Sequence, residues 1–401
     1  MERVYILGAC RTPIGKMGGA LASVSAVDLG SIVIKEVVNR SGISVDIVDH
    51  VFMGCVIQAG LGQNVARQAS LKAGLPVSTT AQTVNVVCGS GLDSVNSAAR
   101  MIAYGDADVV IAGGMESMSN APFAVMNGRY GYKMGSPMIN TPLIDTMVND
   151  ALWDAINNYH MGITAENVAN QYGLTREEVD AFAVASQKKA SAAVANGLFK
   201  NEIVAITVKN KKGDIVIDTD EGPRPETSLA GLAKLKPAFK PDGIVTAGNS
   251  SGINDGAAAV LLISEKKVKE LGLKPQVEWI GGVLGGVDPA IMGIGPVEST
   301  KKLLKKIGLN IDDIDIVEAN EAFAAQSIIV QRELGIPDEK LNINGGAIAL
   351  GHPVGASGCR ILVSLIYEVI RNKNAVNGLA TLCIGGGMGC STIIKKIVEE
   401  S

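Results

Sequence analysis

Three reactive side chains of this chain lie in glycine-rich turns, which leave open space for a substrate. Cys88 lies in Asn-Val-Val-Cys-Gly-Ser-Gly (85–91), His352 in Gly-His-Pro-Val-Gly (351–355), and Cys383 in Leu-Cys-Ile-Gly-Gly-Gly-Met-Gly (382–389). A cysteine reacts as a nucleophile when a base within hydrogen-bond reach takes its proton. A glycine run can present backbone N–H groups to an oxyanion. Each turn taken alone also fits a buried thiol or a structural histidine.

Cys88 lies at a junction between two predicted elements. A β-like run over 81–87 precedes it, and a helix-like run over 92–104 follows it. The first N–H groups of a helix have no partner within the helix, and their partial positive charge favours a thiolate. We therefore expect Cys88 to be thiolate-like and reachable by solvent.

His352 and Asn320 are the candidates for supporting polar groups. The chain has only three histidines, at 50, 160 and 352, and only the last lies in a turn as glycine-rich as that of Cys88. We interpret it as the base. Asn320, in Glu-Ala-Asn-Glu-Ala-Phe (318–323), is either a helix N-cap or a ligand for a water or carbonyl oxygen.

Several other kinds of site do not fit these residues. The spacing of positions 88, 352 and 383 lacks the paired ligands of a zinc site, and a papain-like hydrolase needs one cysteine rather than two. Neither GxGxxG after the first strand nor GxxxxGK[ST] is present, which argues against a dinucleotide or P-loop site. We expect no metal.

The elements around these turns alternate between strands and helices. Strands are predicted at 4–9, 47–53, 109–112 and 256–263, and helices at 25–38, 64–73 and 92–104. This alternation predicts βαβ crossovers and a mostly parallel sheet. Between 120 and 250 the pattern becomes irregular, with a capped helix from Thr175 and one hairpin over 204–217. We interpret it as an inserted domain over the end of the sheet.

The chain also resembles itself at an offset of 266 residues. Segment 42–51 matches segment 308–317, Cys88 maps onto Val354 beside His352, and Gly-Gly-Met recurs at 113–115 and 386–388. Duplicated halves are the simplest explanation. The predicted division is 1–119 with 251–273, the insertion 120–250, and the second half 274–401.

The overall composition limits the class of protein. The chain has 401 residues, a formal charge of −4, 47% hydrophobic residues and six scattered cysteines. This describes an α/β enzyme from a reducing compartment, without a basic surface for nucleic acid. The N-terminus enters a strand at once and no apolar run reaches membrane-spanning length, so we expect a cytoplasmic protein and no membrane partner.

Four motifs together resemble the thiolase family: those around Cys88, Asn320, His352 and Cys383. The resemblance spans essentially the whole chain. It implies a five-layered α/β/α/β/α core of two similar halves, with an inserted loop domain that holds coenzyme A. It also implies thioester-dependent Claisen condensation and its reverse, without a metal or redox cofactor.

The resemblance assigns roles to these residues. Cys88 would be the acylated nucleophile and His352 its base, while Cys383 would move the proton at the α-carbon of the second acetyl group. Asn320, through a water, would form one oxyanion hole with His352. The N–H groups of Cys88 and Gly385 would form the other.

The resemblance also implies a binding path for coenzyme A and the acyl group. Arg224 would contact the adenine and phosphate end of coenzyme A. His160, Met161 and Met292 resemble the residues that narrow the acyl pocket and contact the thioester in the short-chain biosynthetic branch of the family. The remaining contacts that it implies are Leu152, Phe239, Ala247, Ser251, Ala322 and Phe323.

The activity that the resemblance favours is acetyl-CoA acetyltransferase, with acetyl-CoA, acetoacetyl-CoA and CoA as its ligands. A degradative 3-ketoacyl-CoA thiolase and a non-catalytic acyl-CoA binding protein of the same fold remain as alternatives. The segment 126–135 resembles a cationic tetramerisation loop, so we expect a homotetramer built from tight dimers.

Overall fold

The computed structural model describes residues 2–131, 143–211 and 213–397. Its first part, up to residue 117, alternates strands with helices as predicted. The elements of this part are β1 (Val4–Arg11), β2 (Gly15–Lys16), α1 (Ala26–Ser41), β3 (His50–Gly54), α2 (Val65–Lys72), β4 (Thr80–Val84), α3 (Ser90–Tyr104) and β5 (Val109–Ser117).

The middle of the chain forms short elements that lie outside the main sheet. Three separate two-stranded sheets pair β6 with β7, β8 with β9, and β10 with β11. The elements here are β6 (Phe123–Val125), β7 (Leu143–Asp145), β8 (Trp153–Asp154), β9 (Tyr159–His160), α4 (Met161–Gln171), α5 (Arg176–Ala195), β10 (Ile206–Val208), β11 (Ile215–Ile217) and α6 (Leu229–Leu232).

The last part returns to regular alternation, beginning with a strand that belongs to the first half. Its elements are β12 (Asn254–Ser264), α7 (Glu265–Leu271), β13 (Val277–Gly286), α8 (Gly295–Ile307), β14 (Ile316–Ala319), α9 (Ala324–Leu334), α10 (Ala347–Leu350), α11 (Val354–Arg371), β15 (Asn377–Ile384) and β16 (Met388–Lys396).

The main sheet has a mirrored strand order. Along one path it reads β14-β15-β16-β13-β1-β12-β5-β3-β4, and the two halves meet where β1 pairs with β13 over only Val4 to Ile6. Read outward from that seam, the first four strands of each half correspond in order, β1, β12, β5 and β3 in one half and β13, β16, β15 and β14 in the other, and β4 adds a fifth strand to the first half. This palindrome agrees with the duplication at an offset of 266 residues.

The prediction of a mostly parallel sheet was wrong. Among the strand pairs of the described residues, only β3–β4, β3–β5 and β14–β15 are parallel. Strand β12 runs antiparallel to both of its neighbours, β1 and β5, and the equivalent strand β16 runs antiparallel to β13 and β15, so each half contains a strand that no βαβ crossover places. Strands β15 and β16 form an antiparallel hairpin, which needs only the glycine turn between them.

Five layers follow from the alternation of side chains along β12. Ala258, Val260 and Leu262 pack on the central helices, and the intervening residues pack on α1. Helices α3 and α11 contact each other and strands of both halves, so they form the middle layer. Helices α1 and α2 cover the first half, and α8 covers the second. The predicted α/β/α/β/α architecture is confirmed.

Local sequence signals explain where helices begin and end. The Ser25 hydroxyl accepts from the N–H of Asp28 at the start of α1, and Gly42 ends this helix with a φ of 68°. Thr175 and Glu178 form the predicted capping box of α5. One predicted boundary was wrong: the strand expected over 81–87 ends at Val84. Within the described parts of the chain, no helix is long and apolar enough to cross a bilayer.

Candidate active site

The reactive residues meet at a cavity of about 360 Å³, which we call the inner cavity. Cys88 and His352 line it from the residues directly before the N-caps of the two central helices, and Gly385 lines it from the turn after β15. The predicted substrate contacts on its wall are Leu152, His160, Met161, Phe239, Ala247, Ser251, Met292, Ala322 and Phe323.

The backbone before α3 holds Cys88 in place. Val87 adopts a left-handed conformation, with a φ of 48°, which turns the chain out of the direction of β4. The Ser90 hydroxyl donates to the carbonyl of Val87 (2.6 Å) and accepts from the N–H of Val86 (3.0 Å). A Cβ atom on Gly89 would lie 2.4 Å from the Cδ1 atom of Ile384, so a larger residue beside the cysteine would require the Ile384 side chain to move.

Cys88 is a neutral thiol in this environment. The residue is 9% exposed, and burial raises the pKa of its thiol to about 11, although the N–H groups of Gly385 and of Cys88 itself act in the opposite direction. The expectation of a thiolate-like, solvent-accessible Cys88 was therefore wrong. The loss of hydration outweighs the partial charge at the start of α3, so the thiol requires a base.

His352 has the hydrogen bonds of such a base. Its Nδ1 atom lies 2.6 Å from the Ser357 hydroxyl, which donates its hydrogen to the carbonyl of Pro353 (2.9 Å). Because the hydroxyl hydrogen is used there, the Ser357 oxygen accepts from Nδ1–H. The Nε2 atom is then the free acceptor, and it is buried without a partner among the described residues.

The electrostatics around His352 keep its ring neutral. Burial, and then the positive charge of Arg360, lower the pKa of the imidazole to about 3. The backbone N–H of His352 donates to the side chain of Asn254 (2.9 Å), which in turn donates to the carbonyl of Gly15 (2.9 Å). The turn that carries the imidazole is thus fixed to the first half of the protein.

Cys383 lies just behind the wall of the inner cavity. It is fully buried and packs in one apolar cluster with Met161, Met292 and Phe323. Burial raises the pKa of its thiol, and the proximity of Cys88 raises it further. The two cysteines are thus close neighbours, but only Cys88 lines the cavity.

Asn320 is the fourth member of the group, and it is buried next to His352. Its amide nitrogen lies 3.5 Å from Nδ1 of the imidazole, and its side-chain oxygen has no partner among the described residues. Its backbone N–H donates to the carbonyl of Thr381 (3.0 Å), and Gln326 donates to its backbone carbonyl (3.0 Å). Asn320 is not the N-cap of α9, because that position belongs to Phe323.

The turn between β15 and β16 brings a backbone N–H to the cysteine. Gly386 and Gly387 have φ values of 88° and 89°, which reverse the chain directly after Gly385. The N–H of Gly385 lowers the pKa of the Cys88 thiol, so it points toward that sulfur. A side chain on Gly385 would lie 2.8 Å from the Cε atom of Met161.

Aromatic rings form one wall of the inner cavity. The His160 ring stacks on Phe239, with a centroid distance of 4.7 Å, and Phe239 meets Phe323 edge to face at 6.2 Å. Nδ1 of His160 accepts from the N–H of Gly162 (3.0 Å), which places the ring hydrogen on Nε2. Burial lowers the pKa of this imidazole, which favours its neutral form.

Arg224 lies at a second cavity of about 320 Å³, which we call the outer cavity. It does not line the inner cavity. The two cavities share the wall residues Ala247, Ser250, Gly252 and Ile253, so they adjoin each other. The predicted contacts therefore divide into a group at the reactive centre and Arg224 farther out.

Glu116 is a buried residue that the sequence analysis did not identify. Its carboxylate accepts from the N–H groups of Val56 (3.0 Å), Ile57 (3.1 Å) and Gly355 (2.9 Å). Burial raises the pKa of this carboxyl to about 7. Its position directly after the Gly-Gly-Met of the first half was the available signal. Ser357 and Asn254 were missed because nothing local marks them as partners of His352.

The predicted tetramerisation loop, 126–135, is described only in part. Gly128–Tyr130 form a single turn of 3-10 helix, and residues 132–135 lie outside the described residues.

A thiol, a neutral imidazole and a second thiol around one cavity are typical of an enzyme that transfers acyl groups through a covalent thioester. Comparison with protein families agrees with this class. "Thiolase, N-terminal domain" matches residues 4–266 and "Thiolase, C-terminal domain" matches residues 273–396. The chain therefore belongs to the thiolase family, as its motifs predicted.

The relatives of this chain match it over nearly its whole length. It is 56% identical to an acetyl-CoA acetyltransferase of Syntrophomonas wolfei, over 99% of this chain and 100% of the other, and 54% identical to one of Pseudomonas aeruginosa with the same coverage. A crystal structure of the Bacillus anthracis acetyl-CoA acetyltransferase superposes with a TM-score of 0.96 at 44% identity, covering 99% of both chains. A crystal structure of human mitochondrial 3-ketoacyl-CoA thiolase superposes with a TM-score of 0.95 at 43% sequence identity, and the match again covers 99% of both chains.

Proposed function

We propose that this protein is an acetyl-CoA C-acetyltransferase, which condenses two acetyl-CoA to acetoacetyl-CoA and CoA and also catalyses the reverse reaction. The observation that carries the proposal is that Cys88 and neutral His352 line one largely apolar cavity, with Cys383 packed directly behind its wall. The identity of 56% to an acetyl-CoA acetyltransferase supports the choice of acyl group.

The first half-reaction transfers the acetyl group to the enzyme. The Cys88 sulfur attacks the thioester carbonyl of acetyl-CoA while Nε2 of His352 takes the thiol proton. The N–H groups of Cys88 and Gly385 stabilise the oxyanion, and each such donor contributes on the order of 3 kcal/mol. When the carbon–sulfur bond to CoA breaks, the imidazolium returns the proton to the CoA thiolate. Acetyl-Cys88 and CoA result.

The second half-reaction forms the carbon–carbon bond. Cys383 gives its proton to His352, and the resulting thiolate takes a proton from the methyl group of a second acetyl-CoA. The imidazolium, with a water held by Asn320, stabilises the enolate oxygen. The enolate carbon attacks acetyl-Cys88, the bond to the sulfur breaks, and the imidazolium returns its proton to Cys88.

Two thiols are needed because one of them is covalently occupied when the α-proton must move. All protons balance within Cys88, His352 and Cys383, so the reaction uses coenzyme A thioesters as substrates and no further cofactor. The predicted contacts of the inner cavity would hold the acetyl groups and the pantetheine arm, and Arg224 would hold the far end of CoA.

A degradative 3-ketoacyl-CoA thiolase is the second candidate, because a human enzyme of that name has nearly the same fold. Two methionines in the cavity wall, Met161 and Met292, favour a short acyl group. Comparing the thiolysis of acetoacetyl-CoA with that of a longer 3-ketoacyl-CoA tests the choice. We expect kcat/KM to favour acetoacetyl-CoA, and a preference for the longer substrate would select the degradative alternative. Absence of turnover with both would favour a non-catalytic binding protein.

We also propose the predicted division of the chain, with 120–250 as the loop domain that holds coenzyme A. The return of β12 to the first half between β1 and β5 supports the assignment of 251–273 to that half. A homotetramer in the cytoplasm remains our expectation. Light scattering tests it, and the mass of a dimer at micromolar concentration would contradict it.

A further inference from the structure

The outer cavity has an uneven distribution of charge. Two cationic residues, Lys16 and Arg224, contribute to its wall, and none of its lining residues in the described part of the chain is acidic. A concave surface lined by positive charges without negative ones attracts an anionic ligand. The net charge of the whole chain is −4, so this local excess of positive charge is not a general property of the surface.

Neither side-chain cation is paired within the described residues, although the Glu221 carboxylate lies 2.8 Å from the backbone nitrogen of Lys16. The backbone N–H groups of Lys16 and Arg224 have partners, but the ammonium and guanidinium groups have neither a hydrogen bond nor an ion pair within the described residues. In contrast, Arg11 is held by the carboxylates of Glu202 and Asp220. The two cations at the outer cavity therefore keep their full capacity to donate.

Hydrogen bonds connect the segment that carries Lys16 to the segment that carries Arg224. The Glu221 carboxylate accepts from the N–H of Lys16 (2.8 Å) and from that of Ala20 (3.1 Å), and Glu221 precedes Arg224 by three positions. The N–H of Arg224 donates to Gln187 on α5 (2.8 Å). The backbone of both cationic residues is thus fixed before any ligand arrives, which lowers the entropy lost on binding.

The position of the outer cavity matches the shape of coenzyme A. The cavity adjoins the inner cavity through four shared wall residues, and the inner cavity contains the reactive thiol. In a coenzyme A thioester the acyl group and the phosphates lie at opposite ends of the pantetheine arm. A substrate with its carbonyl at Cys88 therefore places its phosphates toward the outer cavity.

We propose that Lys16 is a phosphate-binding residue for coenzyme A and forms, together with Arg224, a two-cation site at the outer cavity. This inference rests on the proposed function for the identity of the ligand. Strand β2 presents Lys16, because pairing with β12 and the Glu221 carboxylate hold its backbone. Lys16 thereby determines specificity for coenzyme A over thioesters without phosphates.

The test compares two substrates that differ in their phosphates. Thiolysis is measured with acetoacetyl-CoA plus CoA, and with S-acetoacetylpantetheine plus pantetheine, which carry no phosphate. For Lys16→Gln we expect KM for acetoacetyl-CoA to rise about fivefold to tenfold, because a charge-assisted hydrogen bond is lost. The kcat/KM for the pantetheine substrate should not change. Lys35→Gln, which removes an exposed lysine of α1 remote from both cavities, is the matched control with wild-type values.

Two results would overturn the proposal: an unchanged KM for acetoacetyl-CoA in Lys16→Gln, or an equal loss with both substrates. Turnover by the wild type tests the proposed function separately. If the wild type does not turn over, calorimetric titration with CoA and with pantetheine still tests the phosphate site. The Lys16 variant should then bind CoA about fivefold to tenfold more weakly and pantetheine equally well.

Discussion

The two halves of this protein share a strand order but contribute different chemistry to the same cavity. The first half supplies Cys88 at the start of α3, and the second supplies His352 at the start of α11, the equivalent central helix. Burial raises the pKa of the thiol and lowers that of the imidazole, so both groups are neutral at rest. A duplicated scaffold has therefore placed an acid and a base opposite each other at symmetric positions.

The Gly-Gly-Met segments show the same divergence in backbone structure. In the first half, β5 continues through the segment as a fully buried strand. Gly114 is needed there because a Cβ atom would lie 2.0 Å from the carbonyl oxygen of Gly355. In the second half, Gly386 and Gly387 have positive φ values and form a turn that directs the N–H of Gly385 toward Cys88. One segment provides close packing, and the other positions the N–H group that the proposed mechanism uses as an oxyanion donor.

The largest effect that we predict is the loss of the base. His352→Ala should lower kcat for thiolysis of acetoacetyl-CoA roughly 10³-fold, because the neutral Cys88 thiol then has no proton acceptor. Steady-state kinetics at saturating substrate measure this, with circular dichroism to verify folding. A loss of less than tenfold in a folded variant would show that Cys88 is activated without His352.

The two Gly-Gly-Met segments should respond differently to alanine. Gly114→Ala should lower the free energy of unfolding by about 3 kcal/mol, the upper part of the usual range for overpacking, since the backbone near Gly355 must move. Gly386→Ala should cost about 1–2 kcal/mol, because its Cβ meets open space and only the left-handed backbone is strained. Urea denaturation measures both. Equal losses would remove the distinction between the segments.

The depressed pKa of His352 predicts a dependence of stability on pH. Between pH 6.5 and about 3 the unfolded state binds a proton that the native imidazole does not, so stability falls as the pH falls through this window. From pH 6.5 to 5 the wild type should lose roughly 2 kcal/mol relative to His352→Gln. Glu116 is present in both proteins, so its contribution cancels. Parallel stability curves for the two proteins would contradict a buried neutral imidazole.

The smallest effect concerns Ser357, which acts through His352. Ser357→Ala should reduce kcat about fivefold, because the hydrogen bond that fixes the Nδ1–H form contributes about 1 kcal/mol. Ser357→Thr retains the hydroxyl and should recover most of the rate. If both variants are equally slow, Ser357 affects the rate through the packing of its side chain and not by orienting the His352 imidazole.

The sequence predicted much of this site because its signals are local. Cys88, His352 and Cys383 each lie in a glycine-rich turn, and the 266-residue offset alone predicts that the first two are at equivalent positions of the two halves. The caps of α1 and α5 were likewise contained within four residues. Family resemblance supplied the contacts of the inner cavity, which local patterns do not reveal.

The predictions that were wrong concern features that depend on contacts between residues far apart in the sequence. The antiparallel pairing of β12 with β5 joins residues that are more than about 130 positions apart in sequence, so no local periodicity indicated it. The protonation of Cys88 was mispredicted because desolvation depends on how many layers cover the thiol. Glu116 was missed for the same reason, since its partners Val56 and Gly355 are far apart in sequence.

The most direct test of the account is to identify the residue that becomes acetylated. Wild-type protein and Cys383→Ala are mixed briefly with acetyl-CoA, and intact mass is measured before peptide mapping. The account predicts one acetyl group on Cys88 in both proteins, with exchange of the α-protons of acetyl-CoA in the wild type alone. An acetyl group on Cys383, or a Cys88 peptide that remains unmodified, would contradict it.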